Sequence, residues 1–314
     1  NVEWWSSDPE TFEIRWGKTR ETESRALLSP INPYHPHGTH LDRFNTYSIT
    51  GLKPATRYHA RIVHGGKEVG RVAFTTAADN AAPRTLYVAP DGDDANDGLS
   101  RRSAWHTVAH AAEHARPGDT VMIAGGVYRE SVRVRVSGTA DAPIVFRSAP
   151  DEKVVFDGQD HMLNVAFSVF NKSHLVFDGF YFRNYRRIWT RGLFNVVRGS
   201  DITIRRCFAD GRSPGSNPEL LTGGGTSNLL VKNCVQVWGW GFIAYGAPNG
   251  LRIENNVILR VSINPFGLGG KIRDVTVTNN IVTDNLVKKR FVSLSPFGDE
   301  DIAPVTLKDN CFFL

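Results

Sequence analysis

The sequence predicts an all-β chain of two parts, a small β-sandwich followed by a β-solenoid. Three observations carry this. An apolar-x-apolar-x-x-(Asn or Cys) pattern recurs through the second half at intervals of 27, 22, 24 and 30 residues. Period-two alternation of apolar and polar residues marks short segments of the first 76 residues. The 29 Gly and 16 Pro among 314 residues supply the turns that many short strands need. Apolar residues at 41% and charged residues at 22% are ordinary globular usage, which excludes wholesale disorder. No window reaches the ~18 uninterrupted apolar residues of a membrane helix.

Residues 1–76 form the first part. Strands are expected at 2–5, 11–16, 44–49, 58–64 and 69–75. Phe12-Glu13-Ile14-Arg15-Trp16 and Tyr58-His59-Ala60-Arg61-Ile62 each give one buried and one wet face. Trp5, Trp16 and Phe74 are the expected core. The spacing Leu52-x-Pro54-x-Thr56-x-Tyr58 ahead of a strand resembles the tyrosine corner of a fibronectin type III domain. That resemblance implies a spacer or docking module, in which the phenol ties a loop back to its strand. His35, His37 and His40 offer three imidazoles but no fourth zinc ligand, so they read as a polar loop.

Residues 77–84 read as a linker, and 85–314 as the solenoid. A strand at 85–89 precedes the turn-rich Asp91-Gly92-Asp93-Asp94-Ala95-Asn96-Asp97-Gly98. Carboxylates at alternate positions suit calcium, but Ala95 stands where a third ligand is needed and no terminal Glu follows. The segment reads as Asx turns. A capping helix is expected at 103–116, with Trp105, Val108, Ala109, Ala112 and Ala115 on one side and Pro117-Gly118 closing it. His106, His110 and His114 read as exposed surface.

The repeat ends on Cys207, Cys234, Asn256, Asn280 and Asn310. Stacked coils place these in one inward column at a tight bend, where Asn can bond the bend's backbone and the next Asn. The two cysteines read as small buried apolar residues; three cysteines in all make no disulfide scaffold. Leu86-Tyr87-Val88-Ala89-Pro90-Asp91-Gly92, Pro117-Gly118-Asp119-Thr120-Val121 and Gly125-Gly126-Val127-Tyr128-Arg129-Glu130 resemble the opening of the right-handed parallel β-helix proteins of the pectate-lyase-like superfamily. The resemblance spans roughly 85–314. It implies the fold and an exported, carbohydrate-active protein, secreted, cell-surface or periplasmic, and leaves the reaction open among lyase, hydrolase and inert surface protein.

In that fold one sheet face carries the ligand. Its outward positions here are Ser168, Asn195, Thr222, Ala244, Gly267 and Ser293, none an acid, base or metal ligand. The chemistry is therefore expected in the loops. Arg186, Arg187, Trp189 and Arg191 share one loop, Lys288, Lys289 and Arg290 another, and Trp238 and Trp240 a third. Guanidinium groups pair with carboxylates at two points and indoles stack on sugar rings, so the expected partner is an acidic polysaccharide. A net charge of +5 favours an anion, and its spread along the chain speaks against nucleic acid.

Three readings stand. In a lyase, Arg187, Arg191 or Arg290 neutralises the uronate in place of calcium, for which no cluster of ligands is seen, and Lys271 is the base. No cofactor is then needed. In a hydrolase, Asp210 and Glu219 are the only available pair of carboxyls. The third is a non-catalytic glycan-binding or adhesion module. Finally, Phe312, Phe313 and Leu314 stop within a repeat with no cap, which predicts a further segment beyond Leu314 or a partner covering this end.

Overall fold

The computed structural model describes residues 2–6, 12–19, 24–28, 43–47, 49, 52–76, 82–159, 162–186, 192–246, 248–263, 265–269, 272–283, 292–295 and 305–313. The chain divides into two compact units, residues 1–82 and 83–314.

In the first unit, Val2–Ser6 pairs antiparallel with Arg43–Tyr47. A four-stranded antiparallel sheet follows the order Ser24–Leu28, Phe12–Gly17, Arg57–His64, Lys67–Thr75. The strand Ser24–Leu28 escapes the alternation test because Leu27 and Leu28 stand side by side. Phe12, Ile14, Ala60 and Ile62 form the core, with Trp16, Ala26, Ile49 and Phe74 packed against it. The Tyr58 hydroxyl accepts the Lys53 N–H at 2.9 Å, tying the loop to the strand as the tyrosine-corner spacing implies. Trp5 and the three loop histidines bear on side chains or residues outside those described.

The second unit is a parallel β-helix. Its coils build three parallel sheets of nine, eight and seven strands. The nine-stranded sheet begins with Thr85–Val88 on Thr120–Ile123. The helix is shorter than expected, Val108–His114, with the Thr107 hydroxyl accepting the His110 N–H at 3.1 Å. Trp105 is committed elsewhere: its N–H donates to Tyr87 O, and its indole N–H donates to Asn96 O at 2.7 Å. Residues before Thr107 therefore run beside the first strand, and Ala111 takes the buried place expected for Ala109. Val108, Ala111, Ala112 and Ala115 belong to the main core, so the helix covers its interior. The Asx turns form: Asp93 accepts the Ala95 N–H and Asp97 the Leu99 N–H, each at 2.9 Å.

Aromatic rings fill the first coils. Phe167 stacks on Phe194 at 5.3 Å and 11°, and Phe146 on Phe177 at 5.5 Å and 12°. Further along, the bend between the nine- and eight-stranded sheets repeats one two-residue device. A residue at positive φ (Arg206, Asn233, Asn255, Asn279, Asp309) precedes the inward residue of the column. Asn accepts that conformation at low cost, which explains the Asn-Asn and Asn-Cys pairs. The Oδ1 atoms of Asn256, Asn280 and Asn310 accept the backbone N–H of Cys234, Asn256 and Asn280 at 2.9, 3.0 and 2.9 Å, so the expected ladder forms. Cys207 and Cys234 are buried in the same column.

At the far end, Val305–Lys308 and Cys311–Phe312 pair with the preceding coil. Phe312 packs partly on the core, whereas Phe313 is 56% exposed. Among the described residues no helix is long and apolar enough to cross a membrane.

Candidate functional site

The strand register brings Ser168, Asn195, Thr222, Ala244, Gly267 and Ser293 into one row on the seven-stranded sheet. Two features correct the expectation of an open, uncharged face. Asn195 and Thr222 are buried, and Thr222 Oγ1 accepts the Gly192 N–H at 2.7 Å, because the chain entering the strand Phe194–Val197 folds over them. The row also begins one coil earlier, at Arg133, opposite Ser168.

The corner joining the eight- to the seven-stranded sheet carries the charged and aromatic groups. Loops of successive coils stack there through the backbone. Asn217 N–H donates to Tyr185 O, Trp240 N–H to Pro218 O, Ser262 N–H to Gly239 O and Ile263 N–H to Trp240 O. Inside the corner, the buried Gln236 amide donates to Pro218 O at 3.2 Å and Gly241 O at 2.6 Å. Gly211 permits the close approach, since a Cβ there would stand 2.4 Å from Trp238 O. Arg186 lies on one loop and Arg212 on the next; Trp238 and Trp240 follow, and Arg260 comes from the coil beyond.

Trp238 and Arg260 hold aligned places on adjacent strands, and both have positive φ, 59° and 56°. A positive φ is a true outlier for so bulky a residue as Trp. It turns the indole outward, 42% exposed, and the Arg260 guanidinium lies over it at 5.5 Å. Trp240 is 37% exposed on the same corner.

Asp210 anchors this corner. Arg212 donates to its two oxygens at 2.8 and 2.7 Å, and the Tyr181 hydroxyl donates to Oδ2. The Arg212 hydrogen bond holds the Asp210 carboxyl down at about 2, against the upward pull of burial. Glu219 is buried at 2% exposure, with its backbone carbonyl bonded to Leu193 N–H. Tyr181 stacks on Phe208 at 5.0 Å, and the Lys153 ammonium sits 3.8 Å over the Tyr181 ring.

Of the site residues read from sequence, Arg186, Trp238, Trp240, Asp210 and Glu219 lie on this corner. Arg187, Trp189, Arg191, Lys271, Lys288, Lys289 and Arg290 lie outside the described residues. The structure adds Arg212, Arg260 and Tyr181. Their signal in the sequence was positional: Arg260 stands where the repeat aligns it with Trp238. Among the described residues no three His, Cys, Asp or Glu side chains gather as a metal cage.

Residues 86–235 match a protein-family model described as Pel9A-like, right handed beta helix region. Over 85 residues the chain is 42% identical to the uncharacterized protein YwoF of Bacillus subtilis, which covers 27% of this chain and 18% of that protein. Over 77 residues it is 34% identical to the pectate lyase PEL9 of Emericella nidulans, covering 24% and 18%. The matched segment thus spans under a fifth of either curated relative. Among solved structures, a rhamnogalacturonan lyase superposes with a TM-score of 0.49 at 17% identity, covering 71% of this chain and 65% of that one.

Proposed function

We propose that this chain is an exported, carbohydrate-active β-helix protein that binds an acidic, uronate-containing polysaccharide along the corner described above and cleaves it by β-elimination. The observation that carries the reading is the outward-turned Trp238 under Arg260, with Trp240 beside it. A strained backbone, an exposed indole and a guanidinium together fit a sugar ring bearing a carboxylate. The local likeness to a pectate lyase supports the same substrate class.

In this reading Arg187, Arg191 or Arg290 neutralises the carboxylate of the substrate. Lys271, as the neutral amine, takes the proton from the carbon beside it; the electron pair forms a carbon–carbon double bond, the bond to the glycosidic oxygen breaks, and that oxygen takes up a proton from solvent. No metal is required. The N-terminal unit serves as a fibronectin III-like docking module. Hydrolysis is the weaker alternative, because it needs one carboxyl protonated near neutral pH. Asp210, held near 2 by Arg212, stays ionised and could serve only as base or nucleophile, while Glu219, which would have to be the acid, is buried at 2% exposure. Binding without cleavage is the second reading, favoured by the covered Asn195 and Thr222 on the sheet face.

The test is a panel of uronic-acid polymers followed by ultraviolet absorbance. An unsaturated product supports elimination; new reducing ends without that absorbance would mean hydrolysis. Binding with neither would leave a lectin-like module. Replacing Arg187 and Arg191 with Ala should weaken polyuronate binding and flatten its salt dependence, and unchanged affinity would remove those loops from the site.

A further inference from the structure

Each strand of the four-stranded sheet in the N-terminal unit carries an arginine that register sets in a single row. Arg25 stands opposite Arg15, Arg15 opposite Arg61, and Arg61 opposite Arg71. Their sequence neighbours Ile14 and Ile62 point into the core, so the row lies on the other face. The four side chains remain 77%, 36%, 28% and 47% exposed in that order.

Like charges directly opposite each other destabilise a sheet. Only two acids answer the four cations in the described surroundings. Glu13 meets Arg15 at 2.7 Å and Arg25 at 3.9 Å; Glu68 meets Arg71 at 2.7 Å and Arg61 at 3.9 Å. Among the described residues the row therefore keeps two positive charges in excess. With strands about 4.8 Å apart, it runs for roughly 14 Å across the sheet.

We propose that this row is a second binding site for an acidic polysaccharide, laid across the strands with its carboxylates on the arginines. The substrate class rests on the function proposed above. The pattern favours a uronate chain over a nucleic acid. Arginines alternate with Glu13 and Glu68, and a sugar offers both carboxylates to accept from the former and hydroxyls to donate to the latter. A phosphodiester backbone would set acceptors against those two carboxylates.

The test uses the full chain, with polygalacturonate as probe in affinity electrophoresis at low and high salt and duplex DNA as competitor. Arg25→Gln with Arg71→Gln should weaken polygalacturonate binding about tenfold and flatten its salt dependence. These are the two most exposed arginines of the row, so folding is little at risk, and Arg25→Lys with Arg71→Lys, which keeps the charge, should recover part of the loss. Unchanged affinity in the Gln pair, no recovery in the Lys pair, or DNA binding as tightly through the same residues would each overturn the assignment. Retention of polygalacturonate without an unsaturated product counts against the lyase reading alone.

Discussion

Trp238 is the residue that most repays substitution. Its left-handed backbone costs about 1–2 kcal/mol that glycine would not incur. Its indole is 42% exposed, so little core is lost on removing it. Trp238→Gly should therefore hold or raise the melting temperature, by a few degrees at most, while weakening polyuronate binding about threefold or more. A binding loss accompanied by a collapse in melting temperature would instead make Trp238 structural. Asp210 behaves differently. Its folded value, about 2, lies below that of an unfolded carboxylate, so its stabilisation is complete above about pH 4 and is lost as pH falls toward 2. Asp210→Asn should lower stability at neutral pH and flatten that acid limb in thermal melts. The cysteines make a third residue-scale check. Cys207 and Cys234 are buried and Cys311 is exposed. One thiol should react with a thiol reagent in the native chain, and three after denaturation.

Among the elements, the Asn ladder and the capping helix carry opposite lessons. Asn280 accepts the Asn256 N–H and donates to Ile253 O at 2.9 Å. Asn280→Ala strands both in the interior, for a loss of about 2–5 kcal/mol that urea denaturation would read. At the helix, the Glu130 carboxylate accepts Val108 and Ala109 N–H at 2.9 and 2.8 Å. Burial pushes the Glu130 carboxyl above its ordinary value, and the two N–H donors only partly offset that. Its stabilising share is thus full below pH 4.5 and lost as pH rises through the raised value, the reverse of Asp210. Glu130→Gln should remove this slope. The ladder was legible because each Asn or Cys ends an alternating run and the runs repeat. Glu130 was not, since a lone Glu in a turn gives no hint that a helix start twenty residues earlier folds onto it. Arg133 was missed for a related reason: its coil lacks the Asn or Cys that sets the register elsewhere.

At the scale of the whole molecule, the solenoid was the easier part to read and the site the harder. Strand rows follow from spacing alone, so the row from Ser168 to Ser293 could be aligned before any coordinates. Which loops stack on which depends on contacts such as Gln236 to Pro218 and Gly241, which join residues of different coils and leave no periodic trace. The same architecture makes a physical prediction. Each coil is stabilised by its neighbours, so amide hydrogen exchange should be slowest in Ser200–Arg205 and Ser227–Lys232, which pair on both sides. It should be fastest in Val305–Lys308, which has one pairing strand among the described residues. Uniform protection would contradict a nearest-neighbour solenoid.

The bend bearing the Asn and Cys column is two residues long in each of the five coils from Arg205 to Cys311, whereas the corner bearing Trp238 varies. Residues 211–220 bridge Asp210 and Leu221, but only 240–242 bridge Gly239 and Ile243. Insertions and deletions at that corner leave both flanking strand registers untouched. A lineage of such chains is therefore free to lengthen, shorten or exchange these loops, and so change what the corner accommodates, while inheriting the scaffold intact. Grafting the 211–220 loop between Gly239 and Ile243 would put that freedom to an engineering use.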